Sequence, residues 1–311
     1  MRAAAPVSAP AQGFAVDAEV RRWLEGAGAG GRYKVQNGDF VVEELPFGCP
    51  PGRGVQWVRV RRQGLDTPEV ARRLARAADV QTEDVAWSGL KDRDAVAEQR
   101  FTIVNGRRLR EMPPGLTLVA AGETREPLRP GALEGNRFVI IVRGGDAAVA
   151  AARLAKLVRF PNRFGPQRTA NDLPELGRAV LLGTAEPMDN VRKRFALLAW
   201  QAGGFNHVLD MRGPRLYDGD LFEEGVATGP LFGARMRWPR GAALALEEGA
   251  LHASGVGLDE LERVARILPG DRRPLAARPL DAAISPHPDG FTLTVTLAPG
   301  VYATSLLAEL L

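Results

Sequence analysis

Residues 291–297, near the end of the chain, read Phe-Thr-Leu-Thr-Val-Thr-Leu, with an apolar side chain at every second position. Such alternation is typical of a strand that buries one face. A single strand is not stable by itself, and only a predicted helix over 302–311 follows it. We therefore expect this strand to pair with a sheet formed much earlier in the chain, so that one domain is inserted into another.

The earlier part of the chain supplies candidates for that sheet. Its strand-like stretches are 40–42, 55–61, 85–87, 101–104 and 138–142. Two helices have start signals, Thr67 as an N-cap before Pro68 and Asp146 as the cap of a helix that runs to residue 158. These stretches alternate between strand and helix patterns, as expected of an α+β domain.

A second region is predicted beyond the Gly/Pro break at 183–187. It opens with a helical pattern over 191–209, which we expect to be interrupted at Gly203-Gly204. Prolines at 274, 279, 286 and 288 predict a linker that returns the chain to the first domain.

Composition restricts the class of protein. The chain has 311 residues, of which 45% are apolar and 25% charged, as in soluble globular proteins. No apolar run reaches the roughly 18 residues of a membrane span, and residues 1–12 resemble a loose tail rather than a signal peptide. A single cysteine, Cys49, excludes a disulfide framework, and the three histidines lack metal-ligand spacing. We expect a metal-free, cytoplasmic protein.

Charge is unevenly distributed along the chain. Residues 1–170 contain 27 Lys and Arg against 19 Asp and Glu, whereas residues 171–311 contain 14 against 18. A basic first half suits a polyanion such as nucleic acid. On charge alone, an arginine-rich solvated surface explains the same numbers equally well.

The most reactive candidate lies in Gly89-Leu-Lys-Asp-Arg-Asp-Ala-Val-Ala-Glu-Gln99, between two predicted strands. Lys91 and Arg93 flank Asp92, and neighbouring cations favour an ionised carboxylate that acts as a nucleophile or weak base. Spacing alone favours an ordinary exposed turn. Arg is the habitual cation of this chain, so Lys34 and Lys91 stand out as positions where a compact ammonium is wanted.

Two further segments offer groups that could bind a ligand. Residues 161–168 read Pro-Asn-Arg-Phe-Gly-Pro-Gln-Arg, and Asn162, Phe164 and Arg168 form the set that stacks on and reads an unpaired base. Phe164 as a core anchor is an equally good interpretation. Tyr302 either lines a site or simply packs inside the protein.

The Gly-x-Gly-x-x-Gly run at 26–31 follows a predicted helix over 16–25 instead of a strand, so it indicates a flexible joint and not a dinucleotide site.

Six motifs in order resemble the TruD family of tRNA pseudouridine synthases, from about residue 32 to the end. They are Lys34 with Asp39-Phe40, Gly89-x-Lys91-Asp92-Arg93-x-Ala95-Val96-x-x-Gln99, Gly131-Ala-Leu-x-Gly135-Asn136-Arg137-Phe138, Asn162-x-Phe164-Gly165-x-Gln167-Arg168, Asp218-Gly219-Asp220 with Thr228-Gly229-Pro230, and Ala303-Thr304-Ser305. The chain departs from the family pattern at Ala97, where Thr is common, and at Thr169-Ala170, where Phe-Gly is usual.

The resemblance implies an α+β fold with a mixed, mostly antiparallel catalytic sheet and a smaller inserted α/β domain. We expect a tail over 1–16, a catalytic domain over 17–184 plus 279–311, and the insertion over 185–278. It implies a tRNA substrate, with conversion of the uridine at position 13 to pseudouridine, and no cofactor, metal or membrane. We expect a monomer.

The resemblance also assigns roles within the site. Asp92 matches the catalytic carboxylate, and Phe164 matches the aromatic that stacks on the target base. Lys34, Lys91 and Asn162 match the polar groups around that base, and Tyr302 matches a pocket-lining aromatic. Arg168 belongs to the same motif as Phe164 and is a further candidate for RNA binding.

Two other functions remain open at the level of sequence. One is a catalytically silent tRNA-binding protein on the same scaffold. The other is a hydrolase that uses Asp92 with a second carboxylate such as Asp94 or Glu98. For the synthase itself, attack on C1′ of the ribose and removal of a proton from C2′ are equally compatible with one carboxylate.

Overall fold

A computed structural model describes residues 22–46, 50–109, 111–169 and 172–311. The strands are β1 (Phe40–Pro46), β2 (Pro51–Gln63), β3 (Val85–Trp87), β4 (Val96–Ile103), β5 (Leu116–Thr124), β6 (Leu133–Arg143), β7 (Phe160–Pro161), β8 (Phe222–Glu223), β9 (Val226–Leu231), β10 (Asp271–Pro274), β11 (Ala276–Ala277), β12 (Leu280–His287) and β13 (Gly290–Leu297). The helices are α1 (Thr67–Ala78), α2 (Ala147–Lys156), α3 (Pro166–Thr169), α4 (Leu173–Leu182), α5 (Asn190–Arg212), α6 (Gly241–Ala253), α7 (Leu258–Arg263) and α8 (Ala303–Leu310). The predicted tail over 1–16, most of the predicted helix over 16–25 and Cys49 lie outside the described residues.

The central sheet confirms that residues 291–297 form a strand that pairs with a sheet formed earlier in the chain. β13 lies between β6 and β12, with Leu293 opposite Ile140 of β6, and its inward side chains at 291, 293, 295 and 297 are fully buried. The strand order is β12-β13-β6-β1-β4-β2-β5, and β3 pairs with β4. β1 and β4 run parallel, whereas the other ladders described for this sheet are antiparallel. The mixed, mostly antiparallel α+β fold is therefore confirmed.

Two apolar clusters cover this sheet. The larger joins β1, β6 and β13 to α2 and α8, and Ile140, Leu306 and Leu310 lie at its centre. The smaller joins β2, β3 and β4 to α1, around Val60, Leu74 and Phe101. Helix α1 thus lies directly beside the loop that leads from β3 to β4.

A third cluster forms a separate core in the later part of the chain. It contains Trp200, Phe232, Leu251 and Leu261 and packs α5, α6 and α7 together. Helix α4 precedes the predicted boundary at 184, yet it packs into the same cluster through Leu181. A three-stranded sheet, β10-β9-β8, accompanies these helices. Directly after β10, β11 pairs over two residues with β7, which follows α2 in the chain. The boundaries of the inserted domain stay a prediction.

Several local expectations are corrected by the structure. Helix α5 runs unbroken through Gly203-Gly204, because the α-carbon of Gly204 packs closely against the ring of Phe232 and tertiary packing outweighs the low helix propensity of glycine. Pro286, expected in a linker, lies within β12. β12 is an edge strand, where a residue without a backbone N–H is tolerated.

The glycine-rich run at 26–31 is packed and is not a flexible joint. The backbone N–H groups of Ala29 and Gly30 donate to the carbonyls of Leu310 and Leu311. A side chain at Gly28 would come within 1.8 Å of the Leu311 carbonyl oxygen, so only glycine allows this approach. The segment therefore joins the early chain to its last helix.

Candidate active site

The loop between β3 and β4 presents Asp92 at the surface of the sheet. Its carboxylate is 27% exposed. Beneath it, the guanidinium of Arg62 donates to the backbone carbonyls of Asp92, at 2.5 Å, and Lys91, at 2.9 Å. Arg62 is buried, and burial lowers its pKa to about 10, although the charges of Asp92 and Asp66 raise it. Arg62 remains a cation at neutral pH and fixes the backbone from which Asp92 projects.

The first turn of α1 holds the same loop from the side. Asp66, not Thr67, is the N-cap, and its carboxylate accepts from the backbone N–H of Glu69. Thr67 is thereby free for another task, since its Oγ1 accepts from the backbone N–H of Lys91 at 2.9 Å and donates to Gln99 at 3.1 Å. The side-chain amide of Gln99 in turn donates to the carbonyl of Gly89. The loop is thus held rigidly at several points before any ligand binds.

Lys34 is the lysine that pairs with Asp92. Its Nζ lies 2.8 Å from Oδ2 of Asp92 and 4.5 Å from the ring centroid of Phe40, and its side chain is only 6% exposed. The residue adopts a left-handed conformation, with φ of 56°. A positive φ is uncommon for a residue with a side chain and indicates a position determined by its surroundings.

Lys91 points elsewhere. Its Nζ binds Oε2 of Glu44 at 2.8 Å, and the two side chains are 6% and 2% exposed. The sequence singled out both Lys34 and Lys91 as compact ammonium groups, and the structure pairs each with a different carboxylate. The Lys91–Glu44 pair links the loop to β1.

Two tyrosines lie within electrostatic reach of Asp92. Burial raises the pKa of Tyr33, and the negative charge of Asp92 raises it further. Burial also raises the pKa of Tyr302, although the charges of Arg168 and Arg273 oppose the shift, and Asp92 adds to it. Both phenols are therefore neutral at physiological pH.

Phe164 lies in a group of aromatic rings beside Tyr302. Its ring centroid is 5.8 Å from that of Tyr302 and 5.6 Å from that of Phe205, with which it makes an edge contact. The side-chain amide of Asn206, on α5, binds both the N–H and the carbonyl of Phe164. The α-carbon of Gly165 lies so close to the Tyr302 ring that a side chain there would approach it to 2.7 Å. The ring of Phe164 is thus both partly buried and held in a fixed position.

Asn162 and Arg168 flank Phe164 in the chain. Asn162 is 5% exposed, and its amide donates to the carbonyl of Pro274 and accepts from Arg273. Arg168 lies on α3, near enough to Tyr302 and Arg273 for its charge to act on both. The predicted site residues therefore converge, apart from the ammonium of Lys91, which is turned toward Glu44.

Sequence reasoning missed Arg62, Glu44, Thr67 and Arg273. The positions of Arg62 and Glu44 could have been noticed in the sequence. Arg62 comes two residues after the buried Val60 of β2, and Glu44 comes two residues after the buried Val42 of β1, so each lies on the buried face of its strand. A charged side chain on a buried face is unusual and demands a partner. Thr67 was assigned to helix capping, and no sequence pattern marked Arg273.

Asp39 stabilises the turn between Lys34 and β1. Its carboxylate is 1% exposed and accepts from Nε and Nη2 of Arg143 and from the backbone N–H of Gln36. Burial by itself would raise the pKa of Asp39, but the bonds and charge of Arg143 and the backbone donors outweigh it and lower that pKa. Asp39 therefore adds stability at neutral pH that is lost as the pH falls through its lowered folded-state pKa.

Replacing Arg143 with Met is expected to lower the free energy of unfolding by about 3 kcal/mol at pH 7, because a buried carboxylate loses its partner. The deficit should shrink as the pH falls from the ordinary Asp pKa of about 3.9 through the lowered pKa of Asp39, because the carboxyl is then protonated in the folded protein as well. Denaturant titrations at pH 7 and at a pH below the lowered pKa of Asp39 measure this deficit. Arg129→Met, at an exposed ion pair, should cost less than about 1 kcal/mol. An equal deficit for Arg143→Met at both pH values would show that packing, not charge, is lost.

Metal-binding and membrane-spanning features are both missing from the described part of the chain. Among the described residues, no group of three or more His, Cys, Asp and Glu side chains is placed to hold a metal ion. Within those same ranges, no helix has the length and apolar character needed to span a membrane.

Comparison with known proteins gives a consistent result. The family model for tRNA pseudouridine synthase D (TruD) matches residues 20–184 and 222–310. A tRNA pseudouridine synthase D from Anaeromyxobacter sp. (strain Fw109-5) is 34% identical over 330 residues, which cover 91% of this chain and 93% of that protein. One from Thermus thermophilus is 31% identical over 333 residues, covering 91% and 89%. A crystal structure of tRNA pseudouridine synthase D (TruD) from Methanosarcina mazei has the same fold, with a TM-score of 0.68 at 19% identity and coverage of 93% and 95%.

Proposed function

Since this chain belongs to the tRNA pseudouridine synthase D (TruD) family, we propose that it isomerises a uridine of tRNA, at position 13, to pseudouridine with Asp92 as the catalytic carboxylate. The observation that carries the proposal is the ion pair between Lys34 and Asp92, which projects from a rigid loop. The charge of Asp92 reaches Tyr302, whose ring lies beside that of Phe164. A carboxylate with a buried cation beside an aromatic surface suits chemistry on a ribose whose base is held separately.

The reaction needs no oxidant or reductant. The bond between C1′ and N1 breaks, the uracil rotates, and C5 forms a new bond to the same C1′ while the C5 proton is lost and N1 regains one. One carboxylate serves either as the nucleophile at C1′ or as the base at C2′. Glu98, one of the two candidate second carboxylates of a hydrolase, is held by Arg59 and Arg61 of β2, which argues against that role for Glu98.

The target base must leave its stack before the ribose can be reached. The ring of Phe164 and the neutral phenol of Tyr302 provide an apolar surface for such a base, with Arg168 close by for a phosphate. Aromatic stacking tolerates rotation of the base about its own axis, because it depends on the ring face and not on particular hydrogen bonds. We expect Phe164 to hold the freed uracil during that rotation.

An arginine-lined groove offers a surface for the rest of the tRNA. Its volume is about 1150 Å³, and Arg73, Arg76, Arg107 and Arg108 line it against Glu69 and Glu111. It runs along α1 from Glu69, in the first turn, to Ala77, in the last. A backbone of regularly spaced phosphates fits a groove lined by several cations.

Replacing both Arg76 and Arg108, which are exposed, with Ala is expected to weaken tRNA binding about tenfold and to reduce the dependence of log Kd on log salt by one to two. Titrations at several salt concentrations measure both quantities. The double variant Arg235→Ala/Arg237→Ala removes the same charge from exposed positions elsewhere. Equal weakening by the two double variants would mean that net charge, and not the groove, binds the RNA.

The function itself is tested by mapping pseudouridine in unmodified tRNA transcripts incubated with the protein. Pseudouridine at position 13 alone supports the proposal. Pseudouridine at one other position would contradict the proposed target position but support the proposed reaction. Tight binding without product would instead favour a silent tRNA-binding protein.

The remaining parts of the proposal concern organisation. We propose that residues 185–278 form the inserted domain and that the enzyme acts as a cytoplasmic monomer without cofactor or metal. The separate apolar cluster around Phe232 and Leu251 supports the insertion.

A further inference from the structure

Arg273, on β10, stacks on the ring proposed to hold the base. Its Cζ lies 4.1 Å from the ring centroid of Phe164 and 5.5 Å from that of Phe205. A planar guanidinium over an aromatic face is a favourable contact that lysine reproduces poorly. One face of Phe164 is therefore already occupied by a side chain from a distant part of the sequence.

Hydrogen bonds hold the same guanidinium in one orientation. Nε donates to the backbone carbonyl of Asn162 at 3.2 Å, and Nη2 donates to Oδ1 of Asn162 at 2.6 Å and to the carbonyl of Gly300 at 2.8 Å. Arg273 thus bridges the Asn162–Phe164 segment and the turn that precedes Tyr302. Each of these three contacts is to a group at or beside the proposed base site.

The strand that carries Arg273 is itself fixed. Arg273 lies opposite Gly229 in the β10–β9 ladder. The preceding residue, Arg272, makes a two-pronged, buried ion pair with Glu247, at 2.7 and 2.8 Å. Arg273 therefore projects from a rigid support, so displacing it by a ligand would require breaking several bonds at once.

Arg273 differs from its neighbour in its charge partner. No ion pair among the described residues includes Arg273, whereas Arg272 has Glu247. Burial lowers the pKa of Arg273 to about 10, with the charge of Arg168 acting in the same direction, so it stays cationic at neutral pH. A largely buried cation balanced only by carbonyl oxygens and a ring is a poor device for stability alone, which indicates a functional reason for its position.

We propose that Arg273 is a positioning residue, which holds the ring of Phe164 and the amide of Asn162 in the orientation that receives the flipped uridine. The inference rests on the proposed function and extends it, because it assigns the base to the face of Phe164 opposite the guanidinium. It also makes the strand β10, far along the chain, part of the machinery that orients the substrate.

The test is a double-mutant cycle in which kcat and the tRNA Kd are measured separately. We expect Arg273→Ala to lower kcat about tenfold and Phe164→Ala about thirtyfold, because a misplaced ring costs turnover. Both should leave Kd within about threefold, since phosphate contacts dominate binding. The double variant should be little slower than Phe164→Ala, because residues that act through one another are not additive.

Arg278→Ala is the matched control, since it removes an exposed arginine five residues along the same segment. Arg273→Lys is a second probe, and it is decisive if Arg273→Ala fails to fold. We expect it to be nearly as slow as the alanine variant, because lysine keeps the charge but lacks the planar fork. Thermal unfolding accompanies each variant.

Three results would overturn the role of Arg273. One is a kcat for Arg273→Ala equal to that of the Arg278 control. A second is a double variant whose kcat falls by the product of the two single-variant factors, which would mean that Arg273 acts independently of Phe164. The third is tighter tRNA binding with unchanged kcat, which would mean that Arg273 occupies the place of the base. Absence of product from the wild type would contradict the proposed function instead.

Discussion

Replacing Asp92 with Asn is expected to reduce pseudouridine formation by more than about 10³-fold at saturating tRNA. The amide is nearly the same size as the carboxylate and can still accept a hydrogen bond from Lys34, so the loop held by Arg62 and Thr67 should keep its shape. An amide, however, neither attacks C1′ nor takes a proton from C2′. The loss should therefore lie almost entirely in kcat, measured by single-turnover product formation.

Affinity for tRNA separates this expectation from a folding defect. The Kd should remain within about threefold of the wild type, because most of the binding energy comes from phosphate contacts. Asp94→Asn is the control, since it makes the same change two residues away at an exposed position, and it should keep nearly full activity. Retention of a tenth or more of the activity by Asp92→Asn would remove Asp92 from the chemistry, and loss of activity at Asp94 would revive the two-carboxylate hydrolase.

Replacing Lys34 with Met is expected to lower kcat about 10²-fold, because one partner of a largely desolvated charge pair is removed. The ammonium is 6% exposed and lies 2.8 Å from the carboxylate, so water cannot fully replace it. Without it, Asp92 loses this ion pair and one of the contacts that orient it. Methionine has a similar length and flexibility, so the packing against Phe40 is largely kept.

Two further variants make the Lys34 result specific. Lys156→Met removes an exposed lysine at the end of α2 and should change kcat less than about twofold. Lys34→Arg keeps the charge in a cavity shaped for a compact ammonium, and we expect activity between those of Lys34→Met and the wild type. If Lys34→Met and Lys156→Met were equally active, the ion pair with Asp92 would have no part in the reaction.

The sequence predicted the fold where local pattern and tertiary context agree. The strict alternation in residues 291–297 was sufficient to place β13 in a sheet made by distant strands. The local sequence was insufficient to predict β12, because Pro286 indicates a linker and is tolerated within a strand only at the edge of a sheet. Similarly, Gly203-Gly204 signals a helix break, which packing of Gly204 against Phe232 overrides.

The site was predictable to the same extent. Asp92, Lys34, Phe164 and Tyr302 were singled out by motif, and the structure brings them together. Which lysine faces Asp92 could not be read from spacing, because the answer depends on the position of Glu44 across the sheet. The role of Arg273 was invisible for a stronger reason, since nothing in its own segment differs from an ordinary arginine-rich strand.

The central position of β6 and β13 has a consequence for how the protein is made. Until residues 290–297 have been synthesised, β6 has no partner on the side that β13 will occupy, although its other side can already pair with β1. The nascent chain must therefore carry an open strand edge while more than a hundred further residues are translated, and such edges invite pairing with other chains. Tyr302 is delivered later still, so the group of rings around Phe164 is completed only after β13 has been synthesised.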